Sequence, residues 1–265
     1  MTSQLLNPTV LGALTDFENS KTPGVWASVE KKQLVTEMRL RLNDPFQINQ
    51  GAQPFCGPAA IVFELVRKQP LRYVQICRSL FETGIYTGLT TKIEASRALR
   101  RSNGRLRMSQ SDWMVLATLR ESENSIFNIE AEAPEIVRNL AGMTKSWEMK
   151  GWVREILGYR TCTYRHTYLY GEFDALQEAS KAVAAGGVAF ALITADGLLR
   201  GKTPFLPLPT HWISILGNIS IKGGDWFSDE NGRISMDVYS WARQYHINLD
   251  EAPFEDYFWG VVIGM

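Results

Sequence analysis

The sequence predicts an α+β protein, with helices in the first half and strands in the second. Up to Leu157, apolar residues recur at helical spacing. After Gly158 the pattern turns to alternation and to short apolar, Thr- and Tyr-rich runs, as strands require. Helices followed by strands, without βαβ alternation, is the α+β order.

Residues 1–25 carry scattered Pro, Gly, Ser and Thr and read as a loop, linker or wrapping arm. From Trp26 to Leu42, residues Val29, Leu34, Val35, Met38 and Leu42 predict a helix that Asn43-Asp44-Pro45 stops. These two pieces make an N-terminal arm and helix, 1–45, ahead of a main domain, 46–265. A helix then starts at Cys56-Gly57-Pro58, with Ile61, Val62, Leu65 and Val66 as its apolar face, and ends near Gln69-Pro70. Proline suits a first helical turn, whose N–H groups have no intrahelical partner. Leu71 to Phe81 is the next helix, with Cys77 on its apolar side as a small core residue.

Arg97, Arg100, Arg101, Arg105 and Arg107 cluster in 86–108; they make a solvated helix and loop, or a basic patch for an acidic partner. Ser109 or Ser111 caps a helix carrying Trp113, Met114, Leu116 and Leu119. Two more helices are expected, near Pro134–Gly142 and Ser146–Leu157. A strand over Arg160–Tyr170 follows, then a helix over Phe173–Ala185. Further strands are expected over Val188–Ala195, His211–Ile219, Arg233–Ala242 and Asp256–Met265.

Lys+Arg and Asp+Glu number 28 each, so no overall charge points to nucleic acid or an anionic membrane. The three cysteines, Cys56, Cys77 and Cys162, do not suggest a disulfide framework, and no zinc-binding spacing occurs. No signal peptide and no bilayer-spanning apolar run is evident, so the expectation is a soluble chain folded in a reducing compartment. No cofactor is expected.

The stretch from Asn49 to Ala60 carries the chemistry. Cys56 falls at a loop-to-helix junction, where the positive end of the helix favours a thiolate, the attacking form of cysteine. Gln50-Gly51 stands six residues upstream. Its side-chain amide could serve an oxyanion together with the Cys56 backbone N–H. Gln50-Gly51 followed by Cys56-Gly57 resembles the papain-like cysteine peptidases. Gln53 stands where eukaryotic papain has a second cysteine, and no Trp follows Cys56. The pattern is more similar to the minimal papain-like domains of bacterial effectors and toxins, which keep Gln, Cys and His and little else.

The resemblance implies a papain-like fold over 46–265, with the nucleophile helix packed on a C-terminal antiparallel sheet. It also implies a histidine at the start of a strand in the second half. Of the three histidines, His166 lies mid-strand and His246 lies in a polar segment. His211 opens the apolar run His-Trp-Ile-Ser-Ile-Leu-Gly and is the expected partner. The imidazole needs an acceptor for its other N–H. A hairpin count places that acceptor near 237–242. Ser240-Trp241-Ala242 is similar to the family's Asn-Ser-Trp-Gly, with Tyr239 where Asn would stand. Asp237 shares a strand face with Tyr239 and Trp241 and is chosen as the orienter. Asp225 by the turn, or a dyad without a third residue, is the alternative.

The expected function is a cysteine protease acting on a peptide bond of a target protein, with Cys56, His211, Asp237 and Gln50 as its site. By analogy it is a bacterial effector or toxin, made in the bacterial cytoplasm and delivered without a cleavable signal, with a cognate inhibitor protein. The alternatives are a glutamine deamidase or transglutaminase-like toxin, a cell-wall amidase, or a non-catalytic binding domain.

Overall fold

The structure is a computed structural model; it describes residues 7–102, 108–123, 144–167, 171–205, 207–222 and 232–265. The helix expected near 134–142, Arg105, Arg107, Asp225 and Asp229 lie outside the described residues. The chain divides into two units, 1–142 with 155–158, and 143–154 with 159–265. The residues on both sides of position 45 belong to the first unit.

The first unit is built mainly of helices. Helix α1 (Pro8–Asn19) corrects the expectation of an irregular arm. Asn7 caps it through a bond from the Thr9 N–H, Pro8 opens it, and Val10, Leu14 and Phe17 form a buried stripe at helical spacing. Helix α2 (Lys31–Asn43) follows, and a 3-10 turn at Pro45–Gln47 is capped by Asp44. Helix α3 (Cys56–Lys68) is buried along nearly its whole length. Burying each of Ile61, Val62, Phe63 and Leu65 contributes about 1.5–3 kcal/mol, so this helix anchors the unit. Helix α4 (Pro70–Thr83) ends on Gly84 at φ 75°, the left-handed conformation glycine adopts most readily. A small hairpin, β1 (Ile85–Thr87) with β2 (Lys92–Glu94), precedes α5 (Arg97–Arg101). Helix α6 (Gln110–Glu123) starts from Ser109, whose hydroxyl accepts the Asp112 N–H.

The second unit is a six-stranded antiparallel sheet with helices. Its strands are β3 (Cys162–His166), β4 (Val188–Ile193), β5 (His211–Lys222), β6 (Arg233–Ser240), β7 (Arg243–Asp250) and β8 (Phe258–Gly264), in the order β3-β8-β4-β5-β6-β7. Helix α7 (Ser146–Glu155) lies at the chain boundary between the units. Helices α8 (Glu172–Ala184), α9 (Ala195–Arg200) and α10 (Glu251–Tyr257) complete the set. One core row combines Ala189, Ala191 and Ile193 of β4, Ile213 and Ile215 of β5, Met236 and Val238 of β6, and Leu176 and Ala179 of α8. The expected strand over 233–242 ends earlier and turns back as β7. The expected strand over 256–265 begins only at Phe258, after α10.

The molecule is thus α+β with a C-terminal antiparallel sheet. Among the described residues no helix is long and apolar enough to cross a membrane.

Candidate active site

Cys56 is the first residue of α3 and is 7% exposed. Phe55, at the N-cap position, makes no side-chain hydrogen bond to the helix N-terminus, whose dipole places partial positive charge beside Cys56. The loop before it is tightly tied. Gly51 sits at φ 60°, and its N–H donates to Asn49 Oδ1 at 2.8 Å. The Gln53 N–H returns to the Gln50 carbonyl at 3.2 Å. The buried Gln50 side chain donates Nε2–H to the Gln53 carbonyl at 3.0 Å. One of its two amide protons is thereby engaged.

A charged anchor lies beneath this loop. Arg41 grips Asp112 through two bonds, Nε to Oδ1 at 2.8 Å and Nη2 to Oδ2 at 2.7 Å, with both side chains buried. The Asn49 N–H donates to the same Asp112 Oδ2 at 3.1 Å. Burial pushes the Asp112 carboxyl up, against the pull of Arg41, Asn49 and Ser109. Burial acts to lower the Arg41 guanidinium, but the Asp112 bonds raise it on balance. Sequence reasoning gave no warning of this pair, whose members stand on α2 and α6.

The other two thiols differ from Cys56 in setting. Cys77 is fully buried on α4, and burial pushes its thiol up to about 12. Burial likewise pushes the half-buried Cys162 up to about 11. None of the three cysteines forms a disulfide.

In the second unit, His211 is the first residue of β5 and is 5% exposed. Its chain enters through a loop fixed at its end: Thr194 Oγ1 donates to the Leu208 carbonyl, and the Thr210 N–H to the Ile193 carbonyl. Nε2 of the ring is 2.7 Å from Ser240 Oγ. Trp241 stacks on the ring, with centroids 4.6 Å apart and planes at 30°. The Arg200 guanidinium, ion-paired with Asp196, lies 4.7 Å from the Trp241 ring centre. Burial first, and then the Arg200 charge, push the imidazole down to about 3. His211 is therefore a neutral imidazole at physiological pH.

Trp241 and Ala242 form the two-residue link between β6 and β7, at φ 44° and 59°. Tight hairpins need positive φ at both link positions and normally use Asn-Gly or similar pairs. A β-carbon in that region costs about 1–2 kcal/mol per residue. The strain is held at the very turn that lays Trp241 on His211.

Asp237 does not orient His211. It lies directly opposite His246 in the β6–β7 ladder, and its Oδ1 is 2.7 Å from His246 Nδ1. Asn218 Nδ2 donates to its other oxygen. These bonds, the one from His246 foremost, hold the Asp237 carboxyl below its usual value. The residue on His211 is instead Ser240, which points to the opposite face of β6 from Asp237. His166 ends β3 as an exposed residue, 6.4 Å between ring centres from Tyr164. No protein-family model matches the chain, and no curated protein matches it.

Proposed function

We propose that the chain is a cysteine hydrolase of the papain-like kind, cleaving a peptide bond in a target protein, with Cys56 and His211 as its working pair. The observation that carries this reading is the setting of Cys56. It is the first residue of a buried helix without a side-chain cap, six residues after a buried Gln50 in a tied loop. The helix end favours negative charge on the sulfur. His211 stands unprotonated in its own unit, and burial makes it a weaker base there than an exposed imidazole.

In this mechanism the Cys56 sulfur attacks the carbonyl carbon while its proton passes to the His211 imidazole. The carbonyl oxygen becomes an oxyanion, met by the Cys56 backbone N–H and the second amide proton of Gln50. Collapse breaks the C–N bond, and the leaving amine takes the proton from His211. Water then attacks the thioester, again giving a proton to His211, and releases the acid and the thiol. The finer parts of the proposal are a papain-like fold, a protein substrate, a cognate inhibitor, and delivery as a bacterial effector.

The test combines labelling and cleavage. Iodoacetamide near neutral pH should alkylate Cys56 while Cys77 and Cys162 resist, their thiols being held protonated by burial. New protein termini should arise in cells expressing the wild type and not in those expressing Cys56→Ala. Identical termini from both would refute the reading. Release of ammonia from intact target protein would replace peptide cleavage with glutamine deamidation at the same site.

A further inference from the structure

We infer that Ser240 is the positioning residue of His211, holding Nε2 so that Nδ1 is the nitrogen that exchanges protons. This rests on the hydrolase reading above. Three observations carry it. Ser240 Oγ is 2.7 Å from His211 Nε2, and both groups are buried. Trp241, the next residue, stacks on the same ring, so consecutive residues of one strained turn fix its edge and its face. The carboxylate closest in sequence, Asp237, is engaged by His246 and Asn218.

A hydroxyl suits this place in a way a carboxylate does not. Its oxygen accepts from Nε2–H in the resting neutral ring, which leaves Nδ1 bare to take a proton, and accepts from the same Nε2–H in the imidazolium formed during turnover. A serine therefore follows the ring through both protonation states without a fixed charge to favour the imidazolium. Arg200 on the far side of Trp241 also acts against the charged ring. The site is built to hold a base at rest and to keep its geometry when the base is loaded.

The experiment uses the full chain with 15N-labelled histidine and reads two quantities. The first is the pair of His211 ring-nitrogen shifts near neutral pH, which report its tautomer. The second is the rate of Cys56 alkylation. Wild type should show one dominant tautomer. Ser240→Ala should show averaged nitrogen shifts and alkylate Cys56 about 10-fold more slowly, the factor for one lost hydrogen bond. Ser240→Thr keeps the hydroxyl and should restore the wild-type shifts, which a merely structural role would not require. Wild-type nitrogen shifts in Ser240→Ala would overturn the inference. Should Ser240→Ala fail to fold, averaged shifts in Ser240→Thr would overturn it instead. If His211→Ala leaves the Cys56 alkylation rate unchanged, the Cys56–His211 pairing fails, and the nitrogen shifts alone still decide the role of Ser240.

Discussion

Lowering the pH should destabilise the folded chain through His211. The imidazole is pushed from about 6.5 in the unfolded chain down to about 3 in the folded one. A group with a depressed folded pKa contributes stability that is fully present above pH 6.5 and is lost as pH falls toward 3. Between those values the unfolded chain binds a proton that the folded chain does not. At pH 4.5 the gap from 6.5 is about two units, and each is worth about 1.4 kcal/mol, so the loss is roughly 3 kcal/mol. That is a substantial part of the 5–15 kcal/mol typical of a folded protein. The assay is urea unfolding at fixed ionic strength, from pH 7.5 to 4.5, for wild type and His211→Gln. Glutamine does not titrate there and keeps a polar atom near Ser240. His211→Gln should start less stable at pH 7.5, having lost the Trp241 stack, and should fall less steeply on acidification. The difference in slopes should sum to roughly 3 kcal/mol over the range. Parallel pH curves for the two proteins would refute the argument, because His211 would then be protonated equally well in both states.

Other perturbations test separate parts of the structure. Asp112→Ala leaves the buried Arg41 and the Asn49 N–H without their acceptor and should cost about 3–5 kcal/mol in urea unfolding. The double replacement Arg41→Met with Asp112→Leu should recover most of that loss, since an apolar pair of similar volume needs no counter-charge. Ala242→Gly relieves a positive φ and should stabilise by up to about 1 kcal/mol, read as a higher urea midpoint at constant slope. Gln50→Ala should lower turnover by about two to three orders of magnitude if its amide meets the oxyanion, with a stability loss of only about 1 kcal/mol from the lost bond to the Gln53 carbonyl. Asp237→Asn should leave turnover nearly unchanged and alter only the His246 contact; a crippled variant would restore Asp237 to the site.

The features legible in the sequence were those whose signal is local. Cys56 at a helix start follows from Gly57-Pro58 and the apolar spacing of Ile61, Val62, Leu65 and Val66, and α3 runs from Cys56 to Lys68. Helix α1 was legible too, in Asn7-Pro8 and the spacing of Val10, Leu14 and Phe17, but loop-forming residues around it masked the pattern. The β6–β7 turn carried no signal at all, since Trp241-Ala242 contains none of the residues that normally mark such a turn. The strand therefore read through it, and β7 went unseen. The Arg41–Asp112 anchor joins α2 to α6, and nothing local announces a pair made by tertiary packing.

Which residue of the hairpin meets His211 is decided by the β5–β6 register. Near the turn Lys222 pairs with Arg233, Ile221 with Ile234 and Ser220 with Ser235; farther on Gly217 pairs with Asp237, Ile215 with Val238 and Ser214 with Tyr239. β5 therefore holds two extra residues, one between Ser220 and Gly217, where Asn218 stands at φ 51°, and one at Leu216 between Gly217 and Ile215. One inserted residue moves the side chains of a strand to the other face, and the second moves them back. Val238 and Ser240 thus lie on the side of His211, while Asp237 turns to His246 on the neighbouring strand. Asp237 alternates with Trp241, but Trp241 lies in the turn at φ 44°, where strand alternation ends, so its stacking on His211 brings no other residue of that face along. A hairpin count can narrow the orienter to a few residues but cannot choose among them, because the choice depends on whether the number of inserted residues is odd or even. Deleting Leu216 tests the register. The pairs Ile215–Val238 and Gly217–Asp237 then follow one another without an extra residue, so Ser240 should stay on His211 and the ring-nitrogen shifts should match the wild type. Changed shifts in a folded deletion variant would show that the strand slips instead, and that the residue at 216 holds Ser240 in place.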